Sequence, residues 1–419
     1  MKRYLPFLIA ALLCAGPVHA AIPLTLDEAL ALAQRKHPQL AEAKEHLAGA
    51  QARAGQASAA YYPQVSMVGD WSKGRSFLTA LERTRSTEVD SATLQVKQTI
   101  YDFGRTAGVV AAARGYRDAT EQGVTLTRLD LAARVKVAFY QLLAAEKQVA
   151  AVSDVVAARE AVHLQALEFF RLGLRAKVDV ARAEANLFEE KTGLIRAENR
   201  LELARVDLAN ALGLASLGDL SPVEPPPLTA MLPGRDDAFG EALRNRSEMK
   251  QLASLSGAAG AELKAARSSF LPVISGVASY GYADRDFPPN GQVWGVGLTL
   301  TVPVFSGFAS VEQVREATAN QGAIAARQEN LQLQIAKEVD AARFGVQEAA
   351  ARMVSTDKQS AAAEENRALA EGRYQEGVGS IIEVTDAQSL ALSARTASIQ
   401  ARYDYYAALA LLDRSLGRP

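Results

Sequence analysis

Apolar residues recur at helical spacing through the two longest proline-free stretches of the chain. No proline lies between Pro63 and Pro222, or between Pro303 and Pro419. Within residues 105–171 the apolar positions follow the period of a helix, as in Leu126, Leu129, Ala133, Val137, Tyr140 and Ala144. A continuous helix over this range would be about 100 Å long. The apolar stripe is narrow and rich in alanine, which predicts rod-like helices that pack closely against partners.

Residues 294–304 show a different pattern, a strict alternation of apolar with small or polar side chains. One face carries Trp294, Val296, Leu298, Leu300, Val302 and Val304, and the other carries Gly295, Gly297, Thr299 and Thr301. Alternation of this length, with the small and polar side chains inward, is typical of a transmembrane β-strand. The edge of a water-soluble β-sandwich alternates in the same way, so the strand pattern alone leaves that alternative open.

Three weaker strand patterns accompany this one. In the run 204 positions earlier, the outward positions are Leu94, Val96 and Ile100, and the inward positions are Thr93, Gln95, Lys97 and Thr99. Residues 65–71 and 274–282 are the predicted partner strands, and the polar segments 73–88 and 283–292 are the predicted hairpin loops. Aromatic residues concentrate at bilayer interfaces, which predicts that position for Trp71, Tyr280, Tyr282 and Trp294.

Four transmembrane strands are too few to close a barrel, because the smallest such barrels use about eight. An open sheet edge in hydrocarbon leaves backbone N–H and C=O groups without partners, at a cost of several kcal/mol for each group. The strands of one chain must therefore be completed by other copies. The sequence predicts an oligomer of at least two chains, and the strand count leaves the choice between two and three open.

The chain carries an internal duplication with a constant offset. Phe170 and Gly173 match Tyr374 and Gly377, an offset of 204 positions (377 − 173 = 204). The same offset relates residues 178–180 to 382–384, Ala183 to Ala387, and residues 208–213 to 412–417. Nearer the start of each copy, Pro63 and Pro272 are 209 positions apart, and the difference of five arises between Trp71 and Thr99.

Each copy has the same predicted order of elements. A short amphipathic segment leads into an alanine-rich helix that ends before Pro63 or Pro272, and two strands and a long helical hairpin follow. The proline-rich segment 221–234 cannot continue a helix and is predicted to be a stiff extended linker. We therefore expect a mainly α-helical tandem repeat with four β-strands per chain. The first repeat covers residues 21–220 and the second covers residues 235–419.

The first 20 residues are typical of a signal peptide. A basic start at residues 2–3 and an apolar core at residues 5–15 lead to an A-x-A-like cleavage site at residues 18–20, so cleavage is expected after Ala20. The apolar core is too short to span a bilayer as a helix. Cys14 lies near its end, but the residues before it are a poor lipobox, and lipidation stays open.

Charge and composition exclude several classes of function. The 46 basic and 47 acidic residues nearly balance, so the basic footprint of a nucleic-acid-binding protein is absent. Cleavage removes the only cysteine, and His37, His46 and His163 are not spaced as a metal site. The sequence contains no glycine-rich phosphate loop and no nucleophile elbow. We therefore predict no enzyme activity, no metal and no cofactor.

The turns and hairpin ends carry a resemblance to a known family. The turns at residues 98–105 and 303–307, the strand entries at Pro63 and Pro272, and the twofold hairpin-end pattern resemble the TolC-like outer-membrane efflux protein family. That pattern comprises Phe170, Gly173, Val178, Asp179, Val180 and Ala183 in the first copy, and Tyr374, Gly377, Ser380, Ile382, Glu383, Val384 and Ala387 in the second. The resemblance covers essentially the whole mature chain.

The resemblance implies an architecture, a location and a set of partners. It implies a homotrimer whose twelve strands form a β-barrel in the outer-membrane lipid and whose long α-helical barrel crosses the periplasm. The function implied is an exit duct for efflux or type I secretion. The partners implied are a periplasmic adaptor protein and an inner-membrane transporter of the RND or ABC type.

The resemblance also implies that the hairpin ends close the channel and dock the adaptor. Gly173 and Gly377 break two long helices, a reversal that suits glycine, and with Ser380 they are the predicted docking tips. Glu383 and Asp386 share one helix face because they lie three positions apart. A trimer would repeat them as a ring of six carboxylates that attracts cations.

Tyr374, as an aromatic hydrogen-bonding lock, and Asp179 complete the predicted gate, and the alternative for Tyr374 is that it simply packs. The alternative for Glu383 and Asp386 is that they are ordinary acids near a helix N-terminus, where the helix dipole favours negative charge. The alternative for the whole chain is a soluble periplasmic coiled-coil scaffold built from the same long helices. The exported substrate and the class of pump stay open, since drugs, metal ions and a secreted protein all fit the pattern.

Overall fold

The computed structural model describes residues 22–78, 83–228 and 231–419. The predicted signal peptide, with Cys14, lies outside the described residues. The helices are α1 (Leu26–Lys36), α2 (Pro38–Ser58), α3 (Arg105–Arg171), α4 (Lys177–Leu212), α5 (Arg235–Asn245), α6 (Ser247–Ser268), α7 (Ala309–Gln375) and α8 (Ile381–Leu416). The strands are β1 (Ile22–Leu24), β2 (Gln64–Leu78), β3 (Arg83–Tyr101), β4 (Leu220–Pro222), β5 (Val273–Asp284) and β6 (Gly291–Thr301).

Two long helical hairpins recur at the offset found in the sequence. Helices α3 and α7 have 67 residues each, and α4 and α8 have 36 residues each. Helix α7 begins 204 positions after α3 (309 − 105 = 204), and α8 begins 204 positions after α4 (381 − 177 = 204). The continuous helix predicted over residues 105–171 is confirmed at both ends. Within the described residues, no helix is both long and apolar enough to cross a bilayer.

The chain divides into two compact units, and each unit draws segments from both predicted repeats. The described residues of unit 1 lie within Met1–His37, Leu131–Met231 and Phe344–Leu411, and those of unit 2 lie within Pro38–Asp130, Leu232–Arg343 and Leu412–Pro419. The division into two repeats and a linker stays a prediction. The segment predicted as an extended linker starts inside β4, which pairs in parallel with β1 in unit 1.

Unit 2 contains a four-stranded antiparallel sheet in the order β2-β3-β5-β6. Its two edge strands are therefore β2 and β6. Met67, Leu94, Tyr280 and Trp294 lie opposite one another in a row across all four strands. Residues that lie directly opposite in neighbouring strands project from the same face of a sheet, so the register defines two faces.

The face that carries this row is apolar and exposed. Trp294 is 73% exposed, and the other large apolar side chains exposed on this face include Val65, Met67, Trp71, Ile100, Tyr280, Val296, Leu298 and Leu300. The opposite face carries Thr93, Gln95, Lys97, Ser279 and Thr299. The predicted phase of the strands is thus confirmed. The placement of Trp71, Tyr280, Tyr282 and Trp294 at membrane interfaces stays a prediction.

The hairpin loop predicted over residues 73–88 is wrong. Strand β2 continues to Leu78 and β3 begins at Arg83, so the two strands form a ribbon that extends beyond the end of β5. A two-stranded ribbon has no buried face and therefore needs no apolar alternation, which is why its polar residues were assigned to a loop. The residues between the strands, 79–82, lie outside the described residues.

Side-chain pairs across this ribbon stabilise the pairing of its strands. Lys73 Nζ lies 2.8 Å from Glu88 Oε2, and Trp71 Nε1 donates to Glu88 Oε1 at 3.2 Å. The loop predicted over residues 283–292 is also too long, since β5 ends at Asp284 and β6 begins at Gly291. At its other end β6 stops at Thr301, three residues before the predicted end.

In unit 2, α3 packs very closely against α6 because small residues face each other. A methyl group at Gly115 would lie 2.8 Å from the Cβ of Ala258, and one at Gly108 would lie 2.9 Å from the carbonyl oxygen of Ala261. Distances this short leave no room for a side chain at either glycine. The alanine-rich composition of α6 therefore sets how closely the two helix backbones approach.

A buried arginine joins three segments of unit 2. Arg246 is 3% exposed and donates from Nη2 to Glu248 at 2.7 Å and from Nη1 to Glu338 at 2.5 Å. Arg414 donates to the same Glu248 carboxylate at 3.0 Å and also pairs with Asp130. Burial alone would raise the pKa of the Glu248 carboxyl, but the hydrogen bond from Arg246 and the nearby positive charges lower it below its usual range. Complementary charges therefore tie α6 to segments of α3, α7 and α8 within this unit.

The buried face of α3 in unit 1 is wider than the predicted stripe. Most residues from Leu131 to Ala145 are buried, and Phe139 and Leu142 are completely buried. The ring of Tyr140 lies 5.4 Å from the ring of Tyr406 in α8. The packing here forms a core with large side chains rather than the narrow alanine seam that the sequence predicted.

Replacement of Gly115 by alanine tests the close contact between α3 and α6. The added methyl group would overlap Ala258, so Gly115→Ala should lower the free energy of unfolding by about 1–3 kcal/mol. Gly123→Ala is the matched control on the same helix, because its methyl group would meet only the flexible Gln251 amide, at 3.7 Å. Alanine in place of glycine should stabilise that position by about 0.5–1 kcal/mol. Thermal unfolding followed by circular dichroism measures both variants, and equal midpoints would contradict the close contact.

Candidate functional site

The turn between α3 and α4, in unit 1, closes on a glycine in the left-handed region. Gly173 has φ +72°, and the Leu174 N–H donates to the Phe169 carbonyl at 2.8 Å while the Gly173 N–H donates to the Phe170 carbonyl at 3.0 Å. This pattern is a Schellman motif, which satisfies the last carbonyls of the helix. Leu172, Leu174 and Val178 are all well exposed around the turn.

The turn between α7 and α8 ends its first helix in the same way. Gly377 has φ +77°, and the Val378 N–H donates to the Arg373 carbonyl at 3.1 Å. Gly379 follows, and a methyl group there would lie 2.8 Å from the backbone nitrogen of Tyr374. The chain therefore folds back so tightly at this turn that Gly379 has no space for a side chain.

Ser380 and Glu383 form a capping box at the start of α8. The Glu383 N–H donates to Ser380 Oγ at 3.2 Å, and the Ser380 N–H donates to Glu383 Oε2 at 3.3 Å. Arg373 Nε lies 3.7 Å from the same carboxylate. Glu383 therefore caps a helix, a role that sequence reasoning did not assign to it, although Ser380 and Glu383 have the spacing of a capping box. Asp386 is exposed at the next turn of α8.

Arg175 joins the two hairpin ends. Its Nη2 donates to the carbonyl oxygen of Gly377 at 3.1 Å and to that of Gly379 at 2.7 Å. Gly379 is also the position that matches Arg175 in the second copy (175 + 204 = 379). One hairpin end thus supplies a cation, and the other supplies the backbone carbonyl oxygens that bind it. Sequence reasoning missed Arg175, and this difference between matching positions was the available signal.

Tyr374 packs into the apolar core behind the turns. It is 2% exposed, and its ring meets the ring of Phe169 edge-on at a centroid distance of 5.8 Å. Val162, Ala166, Ala183, Ala370, Ile381, Val384 and Ala387 form the rest of this cluster. The buried hydroxyl of Tyr374 has no hydrogen-bond partner among the described residues. Burial raises the pKa of Tyr374, and the negative charge of Asp179 raises it further.

A chain of polar side chains links α7 and α8 next to this core. Gln388 is completely buried, and its Nε2 donates to Glu371 Oε1 at 2.8 Å. Arg367 donates to both oxygens of the Glu371 carboxylate, at 3.0 and 2.9 Å, and pairs with Glu364 as well. A cavity of 120 Å³ lies between this chain and Tyr374. Sequence reasoning identified none of these polar residues, because they lie among ordinary helix charges.

The structure therefore places the predicted site residues in two groups. The gate residues and docking tips all lie in unit 1, and among them Ser380 and Glu383 are in direct contact while Tyr374 and Asp179 interact through charge. The predicted interface aromatics lie on the sheet of unit 2. Among the described residues, no group of three or more His, Cys, Asp or Glu side chains is arranged to hold a metal ion.

Comparison with protein families matches most of the chain to one model. Residues 29–214 and 238–418 match the family described as "Outer membrane efflux protein". The protein CyaE of Bordetella pertussis is 28% identical over 410 residues, which cover 91% of this chain and 81% of that protein. The outer membrane protein TolC of Escherichia coli is 24% identical over 433 residues, which cover 97% and 84% of the two chains.

Comparison with solved structures finds the same fold. The outer-membrane channel OprN superposes with a TM-score of 0.84 at 23% identity, over 94% of this chain and 90% of that chain. The open state of the MtrE outer membrane channel of Neisseria gonorrhoeae gives a TM-score of 0.80 at 21% identity, over 94% and 89% of the two chains. These similarities cover the helices and the sheet together.

Replacement of Arg175 by alanine tests the link between the hairpin ends. Hydrogen bonds from a charged donor contribute about 1.5–3 kcal/mol, so Arg175→Ala should speed amide hydrogen exchange around Gly377 and Gly379 by at least about tenfold. Arg171→Ala is the control, because Arg171 pairs with Glu168 on its own helix. Mass spectrometry of the exchanged peptides measures both variants. Equal exchange rates in the two variants would show that Arg175 does not hold the α7–α8 turn.

Proposed function

The chain belongs to the outer membrane efflux protein family, and we propose that its two hairpin ends form the gated, partner-binding end of an outer-membrane export duct. The chain is a subunit of an outer-membrane channel for efflux or secretion, with a large periplasmic helical part. It acts as a trimer with a periplasmic adaptor and an inner-membrane pump. Members of the family are transport channels rather than enzymes, and we assign no catalytic step to this chain.

The exposed apolar face of the sheet supports the membrane location over the soluble scaffold. A contiguous apolar surface of this kind marks contact with lipid or with another protein. Three copies together supply twelve strands, so that each open edge, β2 or β6, meets an edge of a neighbouring copy. Closure in this way pairs the backbone groups that a single sheet would leave open in hydrocarbon.

The observation that carries the docking proposal is the exposure of aliphatic side chains at the α3–α4 turn. Leu172, Leu174 and Val178 present an apolar surface beside the Gly173 turn, and Val378 does so beside the Gly377 turn. Ser380 stands next to it as the N-cap of α8. We place the adaptor on these two turns, because exposed apolar patches with a polar rim are typical of protein interaction sites.

Glu383 and Asp386 support the gating part of the proposal unequally. Both side chains are exposed, and three copies would bring six carboxylates to the closed end. The Glu383 carboxylate already accepts the Ser380 N–H and lies 3.7 Å from Arg373, so this side chain is engaged in capping α8. We therefore assign cation selectivity mainly to Asp386, and the capping of α8 to Glu383.

Tyr374 and Asp179 contribute to the gate through the packing of the closed end. Tyr374 is buried against Phe169, so the α7–α8 hairpin cannot move away from α3 without exposing its ring. The negative charge of Asp179 adds to the effect of burial and raises the pKa of Tyr374, which keeps its hydroxyl protonated. We propose that these two residues hold the closed form, while Asp386 selects ions at its surface.

The cargo is set by the pump rather than by the duct in this proposal. The polar face of the sheet consists mostly of small or uncharged side chains such as Ser66, Ser275, Ser279 and Thr299. One relative is named an alkaline protease secretion protein and another an outer membrane efflux protein. A passive duct of this kind serves either a secreted protein or a small molecule.

Neutral substitutions at the two acids test the assignment of selectivity. Asp386→Asn should lower the ratio of cation to anion permeability of the purified channel in planar bilayers, because it removes three charges from the trimer. Glu383→Gln should change this ratio less, and it should leave α8 folded, because a glutamine at this position still completes the capping box with Ser380. Asp386→Glu keeps the charge and is the matched control. A reversal potential that Asp386→Asn leaves unchanged would refute the carboxylate ring.

A further inference from the structure

Arg159 is a buried cation in α3 that holds α8 on both sides of Asp386. The side chain is 4% exposed. Its Nη2 donates to the carbonyl oxygen of Thr385 at 3.2 Å and to Ser389 Oγ at 2.7 Å. These two acceptors lie one residue before and three residues after Asp386, so Arg159 fixes the turn of α8 that carries the proposed selectivity residue.

The hydrogen bonding of this guanidinium is incomplete. An arginine has five N–H donors, but Nε and Nη1 of Arg159 are buried and have no partner among the described residues. A buried charge with unused donors is costly, because it has lost its water without a full replacement. The conformation in this structure therefore leaves Arg159 able to gain hydrogen bonds elsewhere.

Acids on two different helices act on Arg159. Burial lowers the pKa of its guanidinium, and the charges of Glu190 and Glu189 on α4 and of Asp386 on α8 oppose that effect. Burial raises the pKa of the Glu190 carboxyl, and the positive charge of Arg159 opposes that in turn. The charge of Arg159 thus interacts with acids of its own hairpin, α3–α4, and with an acid of the other hairpin, α7–α8.

We propose that Arg159 is a positioning residue of the gate, which holds α8 in the closed end and transfers to the Glu190 carboxylate when α8 moves away. The inference rests on the proposed gating function of the hairpin ends. In the closed end, Arg159 binds Thr385 and Ser389, and no described residue of opposite charge forms a direct ion pair with Glu190. In the open end, the two unused nitrogens, Nε and Nη1, donate to Glu190 and offset the loss of the bonds to α8.

Two substitutions that leave Arg159 in place should change the ratio of open to closed time of the channel in opposite directions. Ser389→Ala removes one acceptor on α8 and should raise the ratio of open to closed time about tenfold. Glu190→Gln removes the charge that Arg159 would join in the open form, and should lower the ratio by a similar factor. A residue with only a packing role would give two effects of the same sign, because both substitutions would loosen the same core.

Single-channel recordings of the purified trimer in planar bilayers measure this ratio. Ser393→Ala, one turn further along α8, and Glu184→Gln, an exposed acid on α4, are the matched controls and should leave the ratio unchanged. Migration of the unheated trimer on gels checks that each variant assembles. Changes of the same sign in Ser389→Ala and Glu190→Gln, or no change in either, would overturn the inference.

The same recordings separate this inference from the proposal on selectivity. If Asp386→Asn leaves the permeability ratio unchanged while Ser389→Ala and Glu190→Gln still act in opposite directions, the carboxylate ring is wrong and the role of Arg159 stands. If Asp386→Asn changes the permeability ratio but the other two variants do not differ in direction, the ring stands and the partner exchange of Arg159 is wrong.

Discussion

Every backbone N–H and C=O group in hydrocarbon needs a hydrogen-bond partner, and a four-stranded sheet cannot supply partners for its own two edges. The sheet of this protein exposes apolar side chains such as Trp294 and Leu298 on one face and ends in the open edges of β2 and β6. Assembly is therefore part of folding here, since the sheet is complete only in the trimer. Helices α3 and α7 are equal in length, and so are α4 and α8, so the two copies within one chain repeat the same long hairpin.

The two hairpin ends share a backbone and differ in their side chains. Both close with a Schellman motif on a glycine, at Gly173 and at Gly377. At matching positions, however, the first carries Arg175 and the second carries Gly379, and the guanidinium of one binds carbonyl groups of the other. Arg159 repeats this arrangement deeper in the unit, since it lies on α3 and binds α8. Arg159 and Arg175 both belong to the α3–α4 hairpin, and both donate hydrogen bonds to the α7–α8 hairpin.

Much of the fold followed from periodicity, and the failures have physical reasons. The helix over residues 105–171 was predictable because its apolar period is unbroken and proline is absent, and the faces of β6 were predictable because lipid imposes strict alternation. The β2–β3 ribbon was missed because a strand without a buried face has no such pattern. Arg159 and Arg175 were missed for another reason. Their partners lie more than 200 positions away, and the periodicity of a single sequence does not identify a contact at that distance.

The β2–β3 ribbon has a consequence for how the length of such a chain can change. The long helices of the two copies match in length, and the offset between copies shifts from 209 to 204 only between Trp71 and Thr99. About half of that interval is the ribbon, residues 72–78 and 83–89, where β2 and β3 pair only with each other beyond the end of β5. An insertion in a long helix would rotate every later side chain by about 100° per residue and misalign the packing. Added residue pairs in the ribbon leave the pairing of β3 with β5 unchanged, so the fold tolerates a difference in length between the copies there.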